Sequence, residues 1–480
     1  MTAKSQTQDR VLFWLYIGLI VWAPLPLGSN RVWSSSFLAG AALVLGSVWA
    51  MLLAADRVRI TRPLRKAAPL IGLWSLFVLY VFWQSEAGWA AHWAPKASQW
   101  YAKVAEAGIA VRPVISTDGH ATEQAGFLSL ALLVMFCLGL ALIRTPDRLR
   151  QAAYALIAAG VVQSAYGIIA ALAGSQGDAI ASGTYMNRNH FAGYLEMTLA
   201  IGIGILAGGR RLTTDLTGWR EWVRGGIGFL LSEKAPLRIA ILIMALGLIL
   251  SRSRMGNSAF MGSLTGVGLI FLLLSHGTFR VRLTILWVSI LILDISFLGS
   301  YFGLQQLSER IEATTVTELD NRVDIHDQLQ PFVQDFLPFG SGLGTFRKAF
   351  STYYAEKFRF IYMHAEDDYL QFPGELGVGA LLLPLIVILS LTQAVLALRR
   401  TDHIFIRGMS FAAVMAIVSL LIHSFVDFNL QIPANALMFV LMLAFCWLCR
   451  YLPHSEEGRA SSGHRRHRSR SSEGMAHEAG

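Results

Sequence analysis

Long apolar segments constrain the fold of this chain more than any other feature of its sequence. A helix needs roughly 20 apolar residues to cross the hydrocarbon core of a bilayer. Only 15% of the 480 residues are charged and 54% are hydrophobic. A soluble protein of this size needs more charged residues to cover its surface. We therefore predict an all-α, polytopic membrane protein with about twelve transmembrane helices. The predicted spans lie at 11–28, 34–54, 68–84, 124–143, 150–172, 190–208, 236–252, 255–275, 283–301, 376–398, 409–428 and 434–450.

Basic residues predict the orientation of these spans, because they follow every even-numbered one. Examples are Arg57 to Lys66 after the second span and Arg144 to Arg150 after the fourth. This distribution, rather than a nucleic-acid-binding surface, accounts for the net charge of +9. It places both termini in the cytoplasm. The loops near 85–123, 173–189, 302–375 and 429–433 then face outward, which in a bacterial inner membrane is the periplasm.

Three regions follow from this organisation. Residues 1–124 hold the first helices and the first outer loop, 125–450 hold the remaining helices and the long outer loop, and 451–480 form a basic tail rich in Ser, Gly, His and Arg that we expect to be disordered. Cys137, Cys446 and Cys449 lie inside apolar segments, so packing is favoured over a redox or metal role.

The outer loop at 302–375 is the longest polar interruption and the predicted site of chemistry. It contains Arg322, three glycines between Gly340 and Gly344, and the cluster His364-Ala-Glu366-Asp367-Asp368. A carboxylate or imidazole here could act as general base toward a hydroxyl. The cluster could also bind a divalent cation or be a solvated loop end. The glycines could form a turn or present backbone N–H groups to an anion.

Further polar residues stand at the outer ends of spans. Arg252 and Arg254 could anchor a helix at the interface, or bind a diphosphate through their planar guanidinium groups. Arg322 alone would be a solvated charge. Polar side chains that could contact a ligand, or could simply cap a helix or pair inside the protein, are Asn187, Asn189, His190, Tyr369, His423 and Asp427.

Taken in order, several of these segments resemble the O-antigen ligase and polymerase superfamily of bacterial inner-membrane glycosyltransferases. The matching segments are 183–193, 251–256, Arg322 followed by 335–346, 364–379 and 423–433. The resemblance implies transfer of a glycan from undecaprenyl diphosphate to an acceptor hydroxyl at the periplasmic face, by an inverting displacement that needs neither metal nor cofactor. It also implies that Arg252, Arg254 and Arg322 hold the diphosphate, and that His190, Asn187, Asn189, Tyr369, His423 and Asp427 are candidate glycan contacts.

One position departs from the family pattern, which is His-Ala-His-Asn-Asp-Tyr-Leu with the second histidine as general base. This chain has His364-Ala-Glu366-Asp367-Asp368-Tyr369-Leu370. The register from Tyr369 and Gly377 places Glu366 at the position of the base, and His364 is the second candidate.

The acceptor could be a lipid A core, a growing glycan on a second lipid carrier or a protein serine, so ligase and polymerase both remain open. The sequence is also compatible with a glycan transporter or with a superfamily member that has lost catalysis. The charged candidate residues gather at one face of the membrane instead of its middle, which favours an enzyme over a transporter.

Overall fold

The architecture consists of apolar helices that lie against one another. The computed structural model describes residues 3–86, 88–174, 180–208, 234–274, 284, 288, 328–353, 362–401 and 403–452, and every regular element in these ranges is helical. The helices are α1 Ala3–Trp22, α2 Val32–Ala54, α3 Arg62–Lys66, α4 Ala68–Glu86, α5 Pro95–Glu106, α6 Gly119–Leu142, α7 Pro146–Ala173, α8 Arg188–Ala207, α9 Ala235–Leu250, α10 Arg254–Leu274, α11 328–335, α12 Phe346–Ala349, α13 Asp368–Leu376, α14 Leu382–Arg400, α15 Ile404–His423 and α16 Pro433–Tyr451.

Nine candidate spans are long and apolar enough to cross a membrane, counted among the described residues. They are α2, α4, α6, α7, α8, α10, α15, α16 and the continuous stretch Asp368–Arg399, which joins α13 and α14. Helix α9 is apolar but has only 16 residues. The structure thus confirms an all-α, multi-pass membrane protein. Apart from residues 284 and 288, the predicted span 283–301 lies outside the described residues, as does the tail beyond Leu452.

Two predicted spans end earlier than expected. The span predicted at 11–28 stops at Trp22, since Pro24 and Pro26 follow and proline cannot continue a helix. The span predicted at 409–428 stops at His423. The next residue, Ser424, accepts a backbone hydrogen bond at its carbonyl from the N–H of Asp368, which ties the chain to α13 instead of extending the helix.

The polar groups divide between two opposite ends of the bundle. At one end, Asp9 pairs with Arg144 at 3.1 Å and with Arg148 at 2.7 Å, which joins the start of α1 to the α6–α7 turn. At the other end, Gln84 of α4 donates from its amide to the carbonyls of Phe339 and Glu375. This second end holds most of the residues that the sequence marked for chemistry.

Helices α8 and α15 form the central antiparallel pair of the core. Near the end of α8 and the start of α15, Gly204 and Gly408 bring the two backbones into contact, and a Cβ at either position would collide with the carbonyl oxygen of the other. Small residues of this kind permit close helix packing in membranes. Because the two helices approach so closely, polar side chains toward the opposite end of the pair meet directly.

Candidate functional site

Two histidines flank one carboxylate where α8 begins and α15 ends. His190 lies in the first turn of α8, His423 is the last residue of α15, and Asp427 lies in the turn that follows. The carboxylate oxygens of Asp427 lie 3.3 Å from Nε2 of His190 and 3.5 Å from Nε2 of His423. All three side chains are buried. Burial disfavours the charged carboxylate, but the two imidazoles outweigh it and hold the pKa of Asp427 below its usual range.

Glu196 extends this cluster into the bundle and was missed by the sequence analysis. Its carboxylate lies 2.7 Å from Nδ1 of His423 and accepts a hydrogen bond of 2.6 Å from the hydroxyl of Ser419. A glutamate in the middle of an apolar span is costly unless it is paired, so its position in α8 was a usable signal. Across the described ranges, no group of three or more His, Cys, Asp or Glu side chains is arranged to hold a metal ion.

His364 joins the cluster through an aromatic contact. Its ring stacks on Phe428 at a centroid distance of 4.4 Å, and His190 meets the same phenyl ring edge-on at 4.5 Å. Burial, followed by the nearby His190, lowers the pKa of His364 to about 4. The imidazole of His364 is therefore neutral at neutral pH.

Gln371 determines which nitrogen of His364 carries the proton. The Gln371 carbonyl oxygen accepts from the backbone N–H of Ala365 at 3.0 Å, so its amide nitrogen is the atom that faces Nδ1 of His364 at 3.2 Å. That nitrogen can only donate, and Nδ1 must accept. The proton of neutral His364 consequently resides on Nε2, which makes this histidine a hydrogen-bond donor.

The three acidic residues after Ala365 have different surroundings. Asp367 caps α13 by accepting from the backbone N–H groups of Tyr369 and Leu370, at 2.8 and 3.2 Å. Asp368 is buried and accepts from the hydroxyl of Ser424 at 2.9 Å. Glu366 precedes the cap, is half-buried, and has a φ of 54°, in the left-handed region that non-glycine residues rarely adopt. Of the three, Glu366 is the one whose backbone conformation points to a functional constraint.

Arg252 and Arg254 lie in the turn between α9 and α10. Arg252 also has a left-handed backbone, with a φ of 51°, and Arg254 is exposed at the first position of α10. Two residues later Gly256 packs closely on α8, where an added Cβ would lie 2.6 Å from the Cβ of Ala192 and 3.2 Å from a carboxylate oxygen of Glu196. This contact brings the arginine turn to the same end of α8 as the histidine cluster. Arg322 lies outside the described residues.

Asn187 and Tyr369, two further predicted contacts, have structural partners. The side chain of Asn187 accepts from the backbone N–H of Asn189 at 2.8 Å and caps α8, which is the capping role that the sequence also allowed. The ring of Tyr369 stacks on Phe425 at 4.2 Å and its hydroxyl donates to the carbonyl of Leu421. Tyr369 keeps 41% of its surface exposed, so its ring is still available to a ligand.

The glycine segment does bring backbone N–H groups to an anion, but the anion belongs to the protein. Gly340, Gly342 and Gly344 all have a left-handed φ, between 81° and 102°. The segment turns the N–H of Phe346 onto the carboxylate of Glu375, 2.8 Å away. Glu375 is fully buried and also faces the amide of Gln371 at 3.4 Å. The segment thus supports the loop that holds His364.

A comparison with protein families matches residues 239–385 to the O-antigen ligase family. This match confirms the resemblance that the sequence motifs indicated. It spans the arginine turn, the glycine segment and the loop from His364 to Asp368, whereas His190, His423 and Asp427 lie outside it. A search of curated proteins finds no match.

Proposed function

We propose that this chain, an O-antigen ligase-like membrane protein over residues 239–385, is a periplasmic-facing glycan transferase. Its donor would be an oligosaccharide or polysaccharide on undecaprenyl diphosphate, and its acceptor a hydroxyl group. The observation that carries the proposal is the convergence of the His364–Glu366 loop with the buried histidines at one end of the bundle.

Glu366 is the proposed general base. Its carboxylate would take the proton of the acceptor hydroxyl while that oxygen attacks the anomeric carbon of the donor sugar. The bond from this carbon to the diphosphate oxygen breaks, both electrons leave with undecaprenyl diphosphate, and the anomeric configuration inverts. A left-handed backbone at Glu366 supports this role, because strained conformations persist where the surrounding structure enforces them for function.

His364 is better suited to donate than to accept a proton. In its neutral form the proton is on Nε2, since Nδ1 accepts from Gln371. Nε2–H could therefore donate to an oxygen of the acceptor or of the leaving diphosphate. Of the two candidate bases that the sequence left open, this geometry favours Glu366.

The arginines are the proposed diphosphate ligands. Arg252 and Arg254 lie at the same end of α8 as His190, and guanidinium groups bind phosphate oxygens bidentately. Their positive charge would offset the charge that develops on the leaving diphosphate. We assign the same role to Arg322 from the family register alone.

The proposed orientation rests on charge. The Asp9–Arg144–Arg148 group lies at one end of the bundle and the histidine cluster at the other. Basic loops remain in the cytoplasm, so the cluster would face the periplasm. The ends of the bundle can be assigned by cysteine labelling of intact cells.

The purified protein, incubated with a polyprenyl-diphosphate-linked oligosaccharide, should release polyprenyl diphosphate as the glycan is transferred. In a deletion strain the wild-type gene should restore the surface glycan, and Glu366→Ala and Arg254→Ala should not. Arg150→Ala is the matched control, because Arg150 pairs with Asp147 near the start of α7, away from the site. Wild-type glycan from both site variants would refute the assigned roles. Loss of attachment in the knockout would indicate a ligase, and loss of chain length a polymerase.

A further inference from the structure

A cavity of about 480 Å³ opens beside α5 and the first turn of α6, apart from the histidine cluster. Its lining combines aromatic rings with side chains of both charges. The residues that matter here are Glu86, Trp100, Tyr101, Arg112, Glu123 and Lys348. A cavity of this size falls within the range of small-molecule and oligosaccharide sites.

The walls of the cavity are held by hydrogen bonds of the protein itself. The hydroxyl of Tyr101 donates to the carbonyl of Ser116 at 2.8 Å. The next residue, Thr117, donates from its backbone N–H to the carbonyl of Ser341 at 2.8 Å. Lys348 pairs with Asp118 on the opposite side. The cavity is therefore built on the same glycine segment that supports the loop of His364.

Its chemistry favours a sugar over a phosphate. The three carboxylates Glu86, Asp118 and Glu123 outnumber the two cations Arg112 and Lys348, so the cavity lacks the positive excess that a diphosphate needs. Carboxylates accept and guanidinium groups donate hydrogen bonds, and together they match the hydroxyl groups of a sugar ring. Trp100 is half-buried and offers a flat apolar surface for the C–H face of such a ring.

We propose that this cavity binds sugar units of the glycan chain, away from the bond that is formed. The proposal rests on the proposed function, because it takes the ligand to be the glycan that the enzyme transfers or extends. Binding here would hold a long glycan against the outer face while its end occupies the site at Glu366.

Direct binding tests the proposal without any need for transfer. The probe is a set of oligosaccharides from the surface polysaccharide of the producing strain, released from its lipid by mild acid. Binding to the purified protein in detergent is measured by calorimetry for the wild type, Trp100→Ala, Arg112→Ala and Trp100→Phe. Loss of the aromatic contact should weaken binding about tenfold in Trp100→Ala, and Trp100→Phe should keep most of the affinity.

Trp89→Ala is the matched control, since Trp89 is 67% exposed on the same outer segment but does not line the cavity. Unchanged binding in Trp100→Ala and Arg112→Ala, or equal weakening in Trp89→Ala, would overturn the proposal. Glu366→Ala separates it from the proposed function, because that variant should bind oligosaccharide normally while it fails to transfer. Suppose that the wild type transfers glycan and that Trp100→Ala changes neither transfer nor oligosaccharide binding. This result would refute glycan binding in the cavity and leave the proposed transferase activity standing. If the wild type binds oligosaccharide through Trp100 but transfers no glycan, the proposed transferase activity is refuted and glycan binding in the cavity is not.

Discussion

Glu366 and Glu375 are the same residue type nine positions apart, yet the structure places them in opposite circumstances. Glu375 is fully buried and accepts the backbone N–H of Phe346 at 2.8 Å. Glu366 is half-buried in a loop, at a φ of 54°. The first carboxylate serves the fold by holding the glycine segment against α13. The second lies in a half-buried loop with a left-handed backbone, and it is the carboxylate to which we assign the chemistry.

The role of a carboxylate near the site therefore depends on its burial and hydrogen bonds rather than on its place in a motif. Asp367 and Asp368 belong with Glu375, because one caps a helix and the other holds the turn after α15. The acidic cluster that looked uniform in sequence therefore divides into structural residues and one candidate base. Substitutions at these positions can test the division between structural carboxylates and the candidate base.

Removal of the proposed base should have the largest effect. We expect Glu366→Ala to lower the rate of glycan transfer by about 10²–10⁴-fold, the usual contribution of a general base. Glu366→His should recover most of the rate, because imidazole takes the proton at this position in the family pattern. A transfer assay with both variants, at matched thermal stability, checks this. Full activity in Glu366→Ala would show that Glu366 is not the general base.

Removal of the structural carboxylate should instead affect folding. Glu375→Ala strips Phe346 and Gln371 of a buried acceptor, and we expect a loss of about 2–5 kcal/mol in the free energy of unfolding. Thermal unfolding in detergent should show a lower Tm and a smaller yield of folded protein. Glu366→Ala is the comparison variant and should lower the Tm less, because Glu366 is half-buried whereas Glu375 is fully buried. A normal Tm for Glu375→Ala would contradict the structural role.

His364 should link stability to pH. Its pKa is about 4 when folded and 6.5 when exposed, so between these values the unfolded chain binds a proton that the folded chain does not. Stability should therefore fall as pH drops from 6.5 toward 4. In His364→Gln this contribution is absent and the decline should be shallower. Tm is measured across this pH window for both proteins. An equal decline of Tm with falling pH in the two proteins would mean that His364 is solvated, contrary to the structure.

The smallest effect concerns a helix cap. Asn187→Ala removes the acceptor for the N–H of Asn189, which should cost about 1 kcal/mol of stability and leave the affinity for glycan unchanged. Asn187→Ser, which keeps a capping oxygen, should be close to the wild type. A loss of glycan affinity in Asn187→Ser would indicate that Asn187 contacts the glycan, which is the other role that the sequence allowed.

Helix positions were predictable because apolar length is a local property. Most described helices match the predicted spans, including the break between α9 and α10 at 251–253. The ends at Trp22 and His423 were missed, since hydropathy continues through the apolar turns that follow. Pro24 and Pro26 were a readable signal for the first turn. The second depends on a contact between Ser424 and Asp368, which no local pattern contains.

The candidate site was predictable by residue but not by arrangement. His190, His364, His423 and Asp427 were all named from the sequence. The structure places His190 and His364 against Phe428, and His190 and His423 against Asp427. Their meeting depends on the close approach of α8 and α15, which is a property of packing. Glu196 could have been found from its cost inside an apolar span. The role of Gln371 in fixing the proton of His364 could not, because it follows from geometry alone.

The most direct test uses an isosteric pair, Glu366→Gln and Glu375→Gln, with transfer rate per folded molecule and Tm measured on the same preparations. Each change removes one charge and almost no volume. We expect Glu366→Gln, at a half-buried position, to keep a Tm closer to the wild type than Glu375→Gln does, and to lose transfer by about 10²-fold or more. We expect Glu375→Gln to unfold at a lower temperature and to transfer glycan at close to the wild-type rate well below its Tm. Retained transfer in Glu366→Gln, together with lost transfer in a stable Glu375→Gln, would contradict these roles.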